Sequence, residues 1–114
     1  MSELPESLRA RMREQNAEPA IDVVRAFLGF KVADAEDLDE IRADLRQTAQ
    51  VSTRKLRREL AAFEAVLADP PPGELARMVA GEGNWVLDDP SDAAAVAFLG
   101  QLAQILRETL DETN

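Results

Sequence analysis

The fold is decided by residues 38–67, which read LDEIRADLRQTAQVSTRKLRRELAAFEAVL. Apolar or small side chains recur here every three or four residues, the spacing of one face of a helix. They stand at positions 38, 41, 45, 49, 52, 56, 60, 63 and 67. Asp34 is a good N-cap, with Asp37 at the third position of a capping box. The first interpretation is therefore one long helix, from Asp34 to about Ala68.

The weak point of this helix is the stretch Gln50–Thr53, where Ala49 and Ser52 replace large apolar side chains. A continuous helix would span roughly 50 Å, about twice the width of a domain of this size. Hydroxyl and β-branched residues cluster in the stretch, and Ser52 or Thr53 is suited to cap a new helix. A kink or break at Gln50–Thr53 is therefore the alternative.

Upstream, helical spacing predicts one helix over residues 4–16 and another over residues 19–28. Pro19 suits the first turn of the second helix, and Gly29 is expected to end it in a left-handed conformation. Phe30 and Val32 are then expected to anchor the connection to the long helix.

Downstream, the sequence DPPPG at residues 69–73 cannot continue a helix and predicts a chain reversal. A short helix is expected at 74–80, and residues 84–87 are the candidate for an extended segment. The last helix is expected from an N-cap at Asp89 to about Asp111, with Gly100 allowing another helix to approach closely. Its predicted apolar face consists of Val96, Phe98, Leu99, Leu102, Ala103, Ile105, Leu106 and Leu110.

Length and composition agree with one small globular domain over residues 1–114. The chain is 46% hydrophobic and 31% charged, and it lacks internal repeats and long linkers. We therefore predict an all-α fold: a small helical bundle of about five helices with one long central helix.

The charge balance indicates the kind of partner. The chain carries 13 basic and 22 acidic side chains, a net charge of −9, which argues against nucleic acid or an anionic membrane as the ligand and favours a basic protein. Cysteine and histidine are absent, which removes thiolate and imidazole chemistry. We expect a non-enzymatic protein with no cofactor and no metal site.

No stretch is long and apolar enough to serve as a secretion signal or a membrane span, the longest uncharged apolar run being Ala93–Gly100. A cytoplasmic location is therefore expected. Only Lys31 and Lys55 are lysines, and this excess of arginine is typical of a GC-rich bacterial genome.

The first candidate partner-binding surface is acidic. Asp37, Glu40 and Asp44 fall on one ridge of the predicted long helix, with no cation four residues on to neutralise it. The ridge is either a surface for a basic partner or a solvated helix start that the helix dipole favours. EF-hand spacing and its turn glycine are absent, so a metal site is not predicted.

A basic cluster lies in the middle of the same region, at Arg54, Lys55, Arg57 and Arg58. Residues 69–114 contain nine acidic and two basic side chains. We expect the cluster to pair with those acids, or with the acids of a second copy, in preference to a phosphate group.

The second candidate surface is the sequence GEGNWVLDDPSDA at residues 81–93, which contains the one tryptophan. Trp85 is expected to anchor the core, to serve as an interface residue beside Asp88 and Asp89, or to do both. Asp89 is also the expected helix cap.

Small size, acidity, helicity and this NWVLDDPSDA segment together resemble the immunity proteins of bacterial toxin systems. The resemblance concerns the whole class, and no residue role is carried over from it. It implies tight binding to one basic toxin domain, often at the toxin's active site. The alternative is a helical adaptor, a secretion chaperone or a self-associating scaffold, for which a homodimer is expected.

Overall fold

The computed structural model describes residues 19–71, 73–87, 89 and 91–113. The predicted helix at 4–16 lies outside these residues. The described part of the chain is 77% helical and contains no strand, which confirms the all-α class. Its helices are α1 (Ala20–Phe27) with a π-helical extension (Leu28–Val32), α2 (Leu38–Val51), α3 (Arg54–Ala68), α4 (Leu75–Gly81) and α5 (Asp92–Thr113).

The prediction of one long helix is wrong, and the alternative prediction, a break within Gln50–Thr53, is confirmed. Ser52 is extended, with φ −161° and ψ 135°, and its hydroxyl accepts a hydrogen bond from the Arg54 N–H at 3.3 Å. The Ser52 N–H donates to the carbonyl of Thr48 at 2.9 Å, which closes α2. Local hydrogen bonding by a hydroxyl side chain thus separates two helices whose apolar faces stay in phase.

The core is built around α5, against which α2, α3 and α4 pack, while α1 packs on α3. The predicted apolar faces are buried at Ile41, Leu45, Leu56 and Phe63 and along most of α5. Phe27 of α1 meets Phe63 edge to face, with ring centroids 5.0 Å apart. Gly100 does not allow a close helix approach, because a Cβ placed there would meet no other atom within 4 Å.

The end of α1 differs from the predicted one. Gly29 does not end the helix, which continues as a π-helical turn closed by a hydrogen bond from the Ala33 N–H to the Leu28 carbonyl at 2.9 Å. The wider turn buries Leu28 and Val32 completely and leaves Phe30 79% exposed. The expected anchoring by Val32 is therefore confirmed, and that by Phe30 is wrong.

Two predicted helix starts are displaced by a few residues. The N-cap of α2 is Asp37 and not Asp34. At α5, the Ser91 hydroxyl accepts from the Ala94 N–H at 3.2 Å, and the Ser91 carbonyl accepts from the Ala95 N–H. Ser91 therefore performs the capping that was expected of Asp89. In both places several acidic or hydroxyl residues are candidates for the cap, and the sequence pattern does not distinguish between them.

Two ion pairs show how α2 lies on α5. Arg42 pairs with Glu108 at 2.8 Å, and Arg46 forms a two-point pair with Glu112 at 2.9 and 3.0 Å. The residue numbers of both partners increase together, so the two helices run parallel. Along the described helices, none combines the length and apolarity needed to cross a membrane.

Candidate functional site

The predicted acidic ridge begins with two carboxylates that stabilise the start of α2. The Asp37 carboxylate accepts from the Glu40 N–H at 2.9 Å, and the Glu40 carboxylate reaches back to accept from the Glu36 N–H at 2.8 Å. This is close to a reciprocal capping box. Asp37 and Glu40 therefore have a structural role in addition to any role in binding.

Asp44, the third member of the ridge, pairs with a lysine outside its own helix. Lys31 Nζ, on the π-helical turn, lies 3.1 Å from the Asp44 carboxylate and 3.5 Å from the Thr48 hydroxyl. The Lys31 side chain is only 16% exposed. Within α2, no cation lies four residues after Asp44. The cation that neutralises Asp44 comes from the preceding segment, and helical periodicity cannot predict such a contact.

The second predicted surface begins where α4 ends. The N–H groups of Glu82 and Gly83 both donate to the Met78 carbonyl, and Asn84 then adopts a left-handed φ of 47°. A Cβ on Gly83 would lie 2.8 Å from the Val79 carbonyl oxygen and against the side chains of Leu28 and Val32. Only glycine permits this close approach.

Residues 84–87 are neither helix nor strand. The strand that was a candidate there is not found among the described residues, and its first residue, Asn84, is left-handed and not extended. The Trp85 N–H donates to the Val79 carbonyl at 3.3 Å, and the indole stacks on Phe98 of α5 with centroids 5.0 Å apart and planes at 26°. Trp85 and Leu87 are half-buried, whereas Val86 between them is 91% exposed. Val86 is therefore presented to solvent between two side chains that pack against the core.

A cleft of about 650 Å³ lies on one side of this segment, between it and α4. Its apolar lining includes Ala76, Ala80, Trp85 and Val86. A shallower groove of about 310 Å³ lies on the other side, over Ala94, Ala97 and Gln101 of α5. Residues 85–87 line both depressions and so form a ridge between them.

The carboxylate of Asp92 holds the rim of the cleft in place. It accepts hydrogen bonds from the N–H groups of Gly73, at 2.6 Å, and Ala76, at 3.1 Å. These bonds join the start of α4 to the start of α5 and satisfy amides that the helix itself leaves unpaired. The cleft is therefore a preformed feature.

Of the two aspartates predicted beside Trp85, the structure describes Asp89. Asp89 is exposed, and its carboxylate accepts from the Ser91 N–H at 3.1 Å in a local turn. Asp88 lies outside the described residues. Asp89 therefore contributes negative charge at the rim of the groove and stabilises the approach to α5.

The structure keeps the two predicted surfaces apart. Arg42 is level with Glu108 because the two side chains pair. Because α2 and α5 run parallel, positions along them can be compared at 1.5 Å per residue. Measured from this level towards the N-terminal ends of both helices, the start of α5 lies about 16 Å beyond Asp37. The two surfaces are therefore separate patches.

Sequence reasoning missed Val86 and the buried carboxylate Glu59. The apolar run Trp85–Leu87 does not show which of its side chains is exposed, and nothing marked Glu59, which lies inside a run of charged residues. Burial raises the pKa of Glu59, and the positive charges of Lys55, Lys31 and Arg58 oppose that rise.

Within the described ranges, no cluster of three or more acidic side chains is arranged to hold a metal ion. In comparison with known proteins, no protein family, no curated protein and no solved structure matches this chain.

Proposed function

We propose that this chain is a non-enzymatic binding module that neutralises a basic partner protein, as an immunity protein of a bacterial toxin system does. The observation that carries the proposal is the presentation of Val86. Its side chain is 91% exposed on a segment that lines two depressions. Tryptophan is enriched at the energetic centres of interfaces, and the exposed Val86 adds apolar contact area directly beside the half-buried Trp85.

The support beneath Val86 favours binding without rearrangement. Trp85 is held by its stacking on Phe98 and by its bond to Val79, and Asp92 holds the start of α4 against α5. A surface that is already ordered loses little conformational entropy when it binds. Preorganisation therefore suits the tight complex that neutralisation requires.

Charge supports a basic partner. Residues 74–92, which include the segment and the start of α4, carry five acidic side chains and one basic side chain, Arg77, which lines the cleft. The surface around the segment 84–89 is therefore negative on balance. Complementary charge accelerates association and orients the partner before apolar contacts form.

The acidic ridge supports the proposal less strongly than the segment 84–89. Asp37 and Glu40 cap α2, and Asp44 pairs with Lys31. A partner would have to compete with these interactions. We therefore assign the primary contact to Trp85, Val86 and Asp89, with the ridge as a secondary electrostatic surface.

Two exposed valines provide a matched test. Val86 is 91% exposed and Val51, at the end of α2, is 87% exposed, so replacing either by aspartate leaves the core intact. Tagged wild-type, Val86→Asp and Val51→Asp proteins are used to capture partners from the native host. The basic protein recovered is then purified and titrated by calorimetry. We expect Val86→Asp to weaken its binding at least tenfold and Val51→Asp to leave it unchanged.

The same titration identifies the competing functions. Equal binding by the two valine variants would contradict the assignment of the interface. A stable homodimer in light scattering that Val51→Asp dissociates would indicate a self-associating scaffold in place of a neutraliser. Neutralisation itself requires that expression of the captured protein be harmful and that coexpression of this chain relieve the harm.

A further inference from the structure

A second concave feature lies between α1 and α3, away from the cleft. It is a cavity of about 130 Å³ with apolar walls at Val23, Ala26, Phe27 and Phe30. Its polar lining consists of three cations and one carboxyl group, which belong to Lys31, Lys55, Arg58 and Glu59. None of these residues lines the two depressions beside Val86, so the cavity lies outside the surface assigned to the basic partner.

Positive charge dominates the lining of this cavity. Glu59 is 5% exposed, and burial raises its pKa, which favours its uncharged form. The ammonium group of Lys31 pairs with Asp44. Lys55 is exposed, and none of the ion pairs in the described part of the chain involves it. The lining is therefore positive on balance, in a chain whose net charge is −9.

The basic cluster at the start of α3 supplies this charge, and it does not stabilise the helix. Between Asp44 and Glu59 the sequence contains five basic and no acidic side chains. The first turn of α3 has no acidic side chain, although the helix dipole favours acids there and opposes bases. The expected pairing with acids of residues 69–114 is not formed by Arg54 or Lys55 among the described residues. Charges that cost stability and lack an intramolecular partner are typical of functional surfaces.

Phe30 adds an apolar surface beside these cations. It is 79% exposed, whereas Phe27 is fixed in the core by its edge-to-face contact with Phe63. An engineered apolar cavity of about 150 Å³ accepts a benzene ring, so this cavity has room for one apolar side chain. An exposed aromatic ring, a small apolar cavity and adjacent cations together indicate a ligand that is both apolar and anionic.

We propose that this cavity binds a short acidic segment of a partner protein, with one apolar side chain of the segment between Phe27 and Phe30 and its carboxylates against Lys55 and Arg58. The apolar walls disfavour a bare anion such as phosphate, and the cations disfavour a basic segment. A long polyanion such as nucleic acid would extend beyond the cluster onto a chain of net charge −9. A short segment avoids this repulsion.

A second copy of this chain is not the occupant. Of the large apolar side chains that the described residues expose, only Val86 has acidic residues within three positions, at Asp88 and Asp89. A contact between Val86 of one copy and the cavity of the next is head-to-tail, so it propagates into rings or open chains. It would also occupy the segment that the proposed function assigns to the basic partner. We therefore assign the occupant to a different protein.

Synthetic peptides test the proposal without the natural partner. The probe is the acetylated and amidated peptide EDELEDE, compared with EDESEDE and KKKLKKK by NMR titration of the full chain up to about 5 mM in about 50 mM salt. We expect EDELEDE to shift the signals of Val23, Phe27 and Phe30. It should bind at least about tenfold more tightly than EDESEDE, because burial of one leucine side chain contributes more than the roughly 1.4 kcal/mol that corresponds to a factor of ten. KKKLKKK should not shift these signals, and binding of EDELEDE should weaken as salt rises to about 500 mM.

Charge-reversal variants separate local charge from net charge. Lys55→Glu should weaken binding of EDELEDE about tenfold and raise Tm, because the helix dipole favours an acid in the first turn of α3. Arg107→Glu, on α5 and outside the cavity, makes the same change in net charge and should leave peptide binding unchanged within about twofold. Loss of binding together with a gain in stability is a result that a structural role for Lys55 would not produce.

Apolar variants test the cavity itself. Phe30→Ala should weaken binding of EDELEDE severalfold, whereas Val51→Ala, a change at another exposed side chain, and Val86→Asp should not. Equal affinity for EDELEDE and EDESEDE, equal losses with Lys55→Glu and Arg107→Glu, or no shift at the cavity residues would each overturn the proposal. Tighter binding of a short oligothymidylate than of EDELEDE at the same residues would also overturn it, as would self-association in sedimentation experiments that Val86→Asp abolishes.

Discussion

Gly83 joins the candidate binding segment to the core, and Gly83→Ala tests that junction. The added Cβ would lie 2.8 Å from the Val79 carbonyl oxygen and 3.4 to 3.5 Å from side-chain carbons of Leu28 and Val32. The nearest atom belongs to the backbone of α4, so relief requires either the helix or residues 84–87 to move. Overpacking of this kind costs about 1 to 3 kcal/mol. The lower backbone entropy of alanine in the unfolded chain offsets about 0.4 to 1 kcal/mol of that cost.

The net expectation is a loss of about 1 to 2 kcal/mol, which lowers Tm by roughly 4 °C for each kcal/mol in a domain of this size. Thermal denaturation followed by circular dichroism measures the shift. Gly100→Ala is the matched control: it lies inside α5, where a Cβ meets no other atom within 4 Å, and it should stabilise the protein by about 0.5 to 1 kcal/mol. If Gly83→Ala proves as stable as Gly100→Ala, Gly83 does not lie as close to α4 and to the π-helical turn as the structure places it.

The remaining predictions concern the core, the buried carboxyl group, a surface ion pair and the charge of the interface. Leu102→Asp should unfold the protein, seen as loss of the helical circular dichroism signal, because Leu102 is completely buried and a charge placed there costs several kcal/mol out of about 5 to 15; a cooperative transition near the wild-type Tm would refute the assigned core. Glu59→Gln should remove a pH dependence of the unfolding free energy. Burial raises the pKa of Glu59 above its ordinary value of 4.5, so the native state holds this proton more tightly than the unfolded state does. The stability of the wild type should therefore fall relative to that of the variant as pH rises from 4.5 through the raised pKa. Urea titrations at several pH values measure this, and a constant difference between the two proteins would contradict it. Arg46→Gln breaks an exposed pair with Glu112 and should change the unfolding free energy by less than about 1 kcal/mol, whereas a larger loss in the same urea assay would mean that the pair orders α2 on α5. The association rate with a basic partner should fall as salt rises from about 50 to 500 mM, and a flat dependence in stopped-flow mixing would exclude electrostatic steering.

The sequence predicted those parts of the fold that depend on local periodicity. The apolar faces of α2, α3 and α5 are buried where three-and-four spacing placed them, because burying that stripe is what stabilises a helix in a small domain. The weak stretch at Gln50–Thr53 was recognised, but the choice between kink and continuity depended on one Ser52 hydroxyl bond. The spacing of apolar residues does not reveal a single hydrogen bond of this kind.

Tertiary contacts explain the errors. Gly29 did not end α1, because complete burial of Leu28 and Val32 favours a π-helical turn over a left-handed cap. Of the candidate site, composition singled out Trp85, whereas the exposure of Val86 inside the apolar run 85–87 was not predictable from the sequence. The pairing of Asp44 with Lys31 and the burial of Glu59 were not, since both depend on how the π-helical turn meets α2 and α3.

Amide hydrogen exchange on the complex tests the central claim most directly. The chain is compared free and bound to the basic protein that it captures, and protection is resolved by residue. A partner docked on the proposed surface should slow exchange at Val86, Leu87 and Asp89, which lie on the exposed segment and at the rim of the groove. Protection confined to residues 37–44, with exchange at 86–89 unchanged, would contradict the claim and assign the interface to the acidic ridge.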